Sequence, residues 1–96
     1  MYVYILLCVD DSYYTGVTND LDKRLWEHEN AADPKSYTAK RLPVELVYFI
    51  EFYGNPENAI AFEKQIKGWS RAKKESLIKD DKNWERIKQL ARKKFE

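Results

Sequence analysis

Hydrophobic and polar positions alternate in three stretches of the chain and recur every three to four residues in the others, a pattern of short strands and amphipathic helices. Tyr2-Val3-Tyr4-Ile5-Leu6-Leu7-Cys8-Val9 is rich in β-branched and aromatic side chains and too short for a free-standing helix. Asp10-Asp11-Ser12 is a turn cluster, and Tyr13-Tyr14-Thr15-Gly16-Val17-Thr18 is strand-like again, so residues 2–18 are expected to form a β-hairpin. At a period of two, Val3, Ile5, Leu7 and Val9 share one face, and Tyr2, Tyr4, Leu6 and Cys8 the other. Tyr14, Gly16 and Thr18 likewise fall together. Gly16 leaves a gap there, in which a neighbour or ligand can approach the backbone closely.

Thr18-Asn19-Asp20 offers N-caps for a helix from Asp20 to Glu29, with Leu21 and Leu25 as its apolar stripe and Arg24 and His28 as an adjacent polar one. Asn30 to Pro43 is polar and reads as a loop. Val44 to Tyr53 is the third strand. Asn55 as N-cap and Pro56 at the first helical position open a second helix, whose Ala59, Phe62, Ile66 and Trp69 should face the core. Gly68 and Ser70 mark a break. A short helix from Arg71 to Lys79 and a last one from Lys82 to Lys94, with Trp84, Ile87, Ala91 and Phe95 on its inner stripe, complete the order β-β-α-β-α-α-α. The expected fold class is α+β: a three-stranded antiparallel sheet flanked by helices.

Composition narrows the setting. Ninety-six residues make one small domain, and 44% hydrophobic with 34% charged residues excludes a disordered chain. The apolar run Val3 to Val9 is too short to span a bilayer, and the N-terminus lacks the marks of a secretory signal. The single cysteine, Cys8, makes neither an internal disulfide nor a cysteine zinc site. A reduced, cytoplasmic setting is therefore expected. The net charge of +1 conceals an asymmetry: residues 1–62 carry 5 basic and 10 acidic side chains, residues 63–96 carry 12 and 6. A basic C-terminal third suits contact with a polyanion.

There is no Gly-rich phosphate loop, paired-histidine zinc motif or Ser/His/Asp arrangement. What remains is a pair of strand tyrosines, Tyr4 and Tyr14, an Arg24/His28 pair one turn apart, and Glu63 within a helix. In this order the residues resemble the GIY-YIG nuclease family, and especially its small single-domain, UPF0213-like members. Tyr2-Val3-Tyr4 corresponds to the first half of the motif and Tyr14-Thr15-Gly16 to the second, with Tyr2 in place of a glycine and Thr15 in place of an isoleucine. Arg24, His28 and Glu63 match the family's arginine, its basic or imidazole residue and its metal-binding glutamate. The run Arg41-Leu42-Pro43-Val44 leading into Leu46-Val47-Tyr48 is also similar to the small members, and the likeness spans residues 2–80. Larger members often have a further asparagine on a late helix, which has no clear counterpart here; Asn83, at a long spacing, is the one candidate.

The resemblance implies a metal-dependent endonuclease that hydrolyses DNA phosphodiester bonds, with a place in DNA repair or the processing of structured DNA. Tyr4 would be the general base, with Arg24 or a metal lowering its pKa; Tyr14 and His28 would orient Tyr4, water or phosphate. Arg24 offers the phosphate a planar fork, and Glu63 one hard oxygen ligand to a single Mg2+ or Mn2+. Lys64, Lys67, Arg71, Lys73 and Lys74, with Lys40 and Arg41 from the loop, are expected to hold the nucleic-acid backbone. Tyr37 is within reach of the site from the same loop. Specificity would come from a homodimer or a partner protein. Ordinary roles are open to each residue as well: strand packing for the tyrosines, a surface pair with Asp20 for Arg24, a helix C-terminus for His28, an ion pair with Lys67 for Glu63. The alternative function is a non-catalytic nucleic-acid-binding module on the same fold.

Overall fold

The computed structural model describes residues 1–79. β1 (Tyr2–Leu7) lies between β2 (Tyr13–Thr18) and β3 (Glu45–Glu51), antiparallel to both. A central strand has its two faces covered and its two edges hydrogen-bonded, which is why β1 reads as an almost unbroken apolar run. Val3, Ile5, Tyr4 and Leu6 are all buried. The third strand pairs with β1 and not with the hairpin's outer strand, leaving β2 at the edge.

Each helix begins at a residue that accepts from its first turn. Asp20 caps α1 (Leu21–Glu29) at 3.1 Å from Lys23 N, Asn55 caps α2 (Pro56–Lys67) at 3.0 Å from Glu57 N, and Ser70 caps α3 (Arg71–Ile78) at 3.3 Å from Lys73 N. α2 and α3 cover the sheet face of Val3 and Ile5, where Ala59, Ile66, Phe62, Trp69 and Leu77 pack with Tyr48. α1 covers the opposite face, where Leu21 and Leu25 meet Tyr4 and Leu6. A bulge in β3, between the Ile5–Tyr48 and Leu6–Leu46 pairings, lets Tyr48 serve one core and Leu46 the other.

Three details differ from the expectation. Residues 30–43 are not all loop: Thr38–Lys40 form a 3-10 turn, too short to leave a periodic signature in sequence. His28 does not lie on a separate polar stripe but extends the buried line of Leu21 and Leu25. The gap at Gly16 is already filled, since the register sets Gly16 across from Tyr4 and a Cβ there would collide with Cζ and Oη of the phenol ring. The expected helix over 82–94 and Asn83 lie outside the described residues. Gly16→Ala, which must displace a ring only 1% exposed, is expected to cost about 1–3 kcal/mol. Thermal unfolding checks this; an unchanged midpoint would show that the ring yields without cost.

Candidate active site

Tyr4 and Tyr14 leave the same sheet face from neighbouring strands, because their pairing partners, Gly16 and Leu6, are two register steps apart on that face. Their rings are 6.3 Å apart. α1 crosses above them, and its last turn brings His28 down between the phenols: 5.8 Å ring to ring from Tyr4 and 5.1 Å from Tyr14. Nε2 of His28 is 2.8 Å from the Tyr4 hydroxyl, and Nδ1 is 2.7 Å from the hydroxyl of Thr38. One turn earlier on α1, the half-buried Arg24 interacts with both phenol oxygens, Tyr4's more strongly, and its own pKa rises as a result. Its ion pair with Glu27 is long, 3.8 Å, and leaves the guanidinium available to an anion. The pair with Asp20 open to Arg24 from sequence is replaced by this one.

Burial decides the protonation states. Removal from water pushes Tyr4 up to about 12, outweighing the opposing pull of Arg24, so the phenol is protonated at neutral pH. Arg24 acts on the Tyr4 pKa in the expected direction, but lowers it by less than burial raises it. Burial, reinforced by the Arg24 charge, pushes His28 down to about 4 from 6.5. A histidine with a depressed folded-state pKa stabilises the fold when neutral. Its contribution is complete above pH 6.5 and is lost as pH falls from there through about 4. We expect wild-type protein to lose roughly 2 kcal/mol more between pH 7 and pH 5 than His28→Gln, measured by urea unfolding. Equal losses in the two proteins would show that His28 is as easily protonated folded as unfolded.

Glu63 approaches from the other side of the sheet. It lies on the buried side of α2, 6% exposed, and its Oε1 is 2.7 Å from Nζ of Lys67. The ion pair open to Glu63 from sequence is therefore present, but with a buried carboxylate. Lys67, its pKa raised chiefly by that hydrogen bond, also senses the Tyr14 hydroxyl, which ties Glu63 to the edge of the tyrosine cluster. The structure thus brings Tyr4, Tyr14 and His28 into direct contact, with Arg24 interacting with both phenols and Glu63 joined through Lys67. The Glu63 side chain, though engaged by Lys67, is still 8% exposed. Among those residues no cluster of three or more His, Cys, Asp or Glu is placed to hold a metal. A hard carboxylate not wholly cut off from water fits Mg2+, which keeps most of its own water shell.

The basic residues divide. Lys40, Lys64 and Lys73 are exposed, and Lys74 is half-buried. Arg41 and Arg71 are engaged within the fold: Arg41 with Asp10 at 3.0 Å, Arg71 with Asp11 at 3.2 Å and Glu75 at 3.0 Å. Two neighbours of the site leave little or no trace in the sequence. Thr38 carries no signal at all, and Tyr37, which stacks on Tyr14 at 5.9 Å and 24°, shows only as an aromatic ring in a polar loop.

Comparison with known proteins places this arrangement. The sequence profile of the GIY-YIG catalytic domain matches residues 1–76. A UPF0213 protein of Clostridium perfringens is 51% identical over 77 residues, covering 80% of this chain and 81% of its own length. Another, from Natronomonas pharaonis, is 44% identical over 80 residues, 83% and 92% of the two chains. The solution NMR structure of a UPF0213 protein from Bacillus halodurans superposes with a TM-score of 0.52 at 43% identity over 80% of each chain. With the two tyrosines on a hairpin, the arginine on the helix that follows it, and a match over most of its length, the chain belongs to the GIY-YIG nuclease family.

Proposed function

We propose that this protein is a divalent-metal-dependent endonuclease that hydrolyses DNA phosphodiester bonds. Nucleases of the GIY-YIG family generally act on DNA and depend on a divalent metal. The observation that carries the reading is the 2.8 Å contact between a buried, protonated phenol and a buried, neutral imidazole. A module that only binds DNA has no use for such a pair, whose burial opposes both charged forms.

Four groups share the work. Arg24, half-exposed beside Tyr4 and Tyr14, receives the phosphate and offsets the charge that grows on its oxygens. Tyr4 takes a proton from the attacking water as its own proton passes to Nε2 of His28, so the oxygen of the nucleophile gains negative character while the phenol stays neutral. His28 is a weak base in the free protein partly because Arg24 faces it. A phosphate on Arg24 cancels that charge, so substrate binding makes His28 a better proton acceptor. Tyr14, in ring contact with both Tyr4 and His28, keeps the pair in register. Glu63 would hold the Mg2+, which supplies Lewis-acid polarisation of the phosphate. The P–O bond to the leaving oxygen breaks, and that oxygen is protonated by solvent.

Exposed Lys40, Lys64 and Lys73, with Lys74, serve as backbone contacts of the sequence-independent, salt-sensitive kind. The direct test is cleavage of plasmid, single-stranded and branched DNA with Mg2+ or Mn2+. Strand scission that stops when the metal is chelated is the expected result. DNA binding without scission under every metal condition would favour the binding module.

A further inference from the structure

A neutral imidazole between two hydroxyls can sit in either of two tautomers, and the relay proposed above runs in only one of them. Nε2 must be the acceptor facing Tyr4, so Nδ1 must carry the hydrogen and donate to Thr38 Oγ1, 2.7 Å away. We propose that Thr38 is a positioning residue that selects this tautomer, and that Tyr37 and Arg41 form the strap that holds Thr38 and Tyr14 in place. The inference rests on the nuclease reading and deepens it.

The Tyr4 oxygen sets what each tautomer requires. Arg24 has no acceptor and presents hydrogens to the Tyr4 oxygen. If Nε2 also donated to that oxygen, the phenol hydrogen would have to turn from His28 to the Tyr14 hydroxyl, Tyr4's other hydrogen-bond neighbour, and the relay to His28 would be broken. With Nε2 accepting, the phenol hydrogen lies on the 2.8 Å contact to His28, and the Thr38 hydroxyl, which accepts from Nδ1, turns its own hydrogen to Ser36 Oγ at 3.5 Å. Thr38 is 0% exposed, so its hydroxyl has no water to use in place of His28.

The strap is tied at both ends. Arg41 lies 3.8 Å over the Tyr37 ring, and its Nη1 donates to the Tyr37 carbonyl at 2.8 Å. Its Nε donates to Asp10 in the hairpin turn at 3.0 Å, and its carbonyl accepts from Val9 N at 3.0 Å. The Tyr37 hydroxyl donates to Ser12 Oγ at 2.8 Å, two residues before the Tyr14 on which its ring stacks. Residues 37–41 are therefore fixed to the hairpin on one side and to His28 on the other. Arg41 thereby has a role other than the contact with DNA expected from sequence.

The test reads tautomers and rates separately. In 15N-labelled, metal-free protein at pH 7, the ring nitrogens of His28, the only histidine in the chain, report which one is protonated. Wild type is expected to show Nδ1–H; finding Nε2–H would overturn the proposal without any variant. Thr38→Val keeps the side-chain shape and removes the hydroxyl, so the Nε2–H form should gain population and the cleavage rate should fall at least ~10-fold with DNA affinity unchanged. Thr38→Ser should restore both. A swapped tautomer with an unaltered rate, or no rescue by serine, would refute the positioning role. If wild type cuts no DNA, the nuclease reading fails while the nitrogen shifts still decide the tautomer.

Discussion

Glu63→Gln is expected to keep the fold and lose metal-dependent cleavage by about 10³-fold, the equivalent of some 4 kcal/mol of transition-state stabilisation. The substitution preserves volume on the buried side of α2, so packing beside Ala59 and Ile66 is undisturbed. What disappears is the negative charge. A hydrated divalent cation is attracted to a carboxylate far more strongly than to an amide oxygen, and no cluster of carboxylates among the described residues stands ready to replace it. Lys67 loses its partner but, with its side chain 55% exposed, regains water in exchange, so little stability should be lost. Initial rates on plasmid DNA across a Mg2+ titration provide the measurement. Cleavage at the wild-type rate and the same metal concentration would remove Glu63 from the site.

Tyr4→Phe should lower the rate by about 10²–10⁴-fold, the span associated with loss of a positioned general base. The ring stays, still filling the space against Gly16 and packing with Leu21 and Leu25. Only the hydroxyl shared by Arg24 and His28 is lost. His28 Nε2, on a residue 3% exposed, is then left without its partner, at an expected cost of roughly 1–3 kcal/mol in stability. Slow cutting, a lowered unfolding midpoint and intact DNA affinity should therefore appear together. A phenylalanine variant that cuts within twofold of wild type would show that the proton leaves the water by another route. The two variants also answer different questions, since only Glu63→Gln should change the apparent metal affinity.

Much of this site is legible in the amino-acid sequence, for identifiable reasons. Strand alternation and the Asp10-Asp11-Ser12 cluster are local signals, and they set Tyr4 and Tyr14 on one hairpin. Asp20 and Asn55-Pro56 are caps whose side chains act within a few residues of themselves, while Ser70, read only as part of a break, caps α3 in the structure. The spacing of Arg24 and His28 needs only helical pitch. Contacts distant in sequence leave weaker traces. Arg71 reads as part of a basic stretch, yet it reaches across sixty positions to the hairpin turn, donating to the Asp11 carbonyl at 2.6 Å. Glu63 and Lys67 are readable as an i, i+4 pair, but the burial of the carboxylate is not, because it depends on what α2 packs against.

By itself, then, the sequence determined the strands and longer helices among the described residues, their order and the caps of α1 and α2, because each follows from local geometry and residue type; the five side chains stood out by their resemblance to the GIY-YIG motif. Tertiary structure alone decided that β3 joins β1, that Tyr4 occupies the space Gly16 leaves, and that Thr38 meets His28 across ten residues. It also decided that Tyr4 is protonated and His28 neutral, since a pKa depends on how much water and charge surround a group, and those surroundings exist only once distant segments have packed.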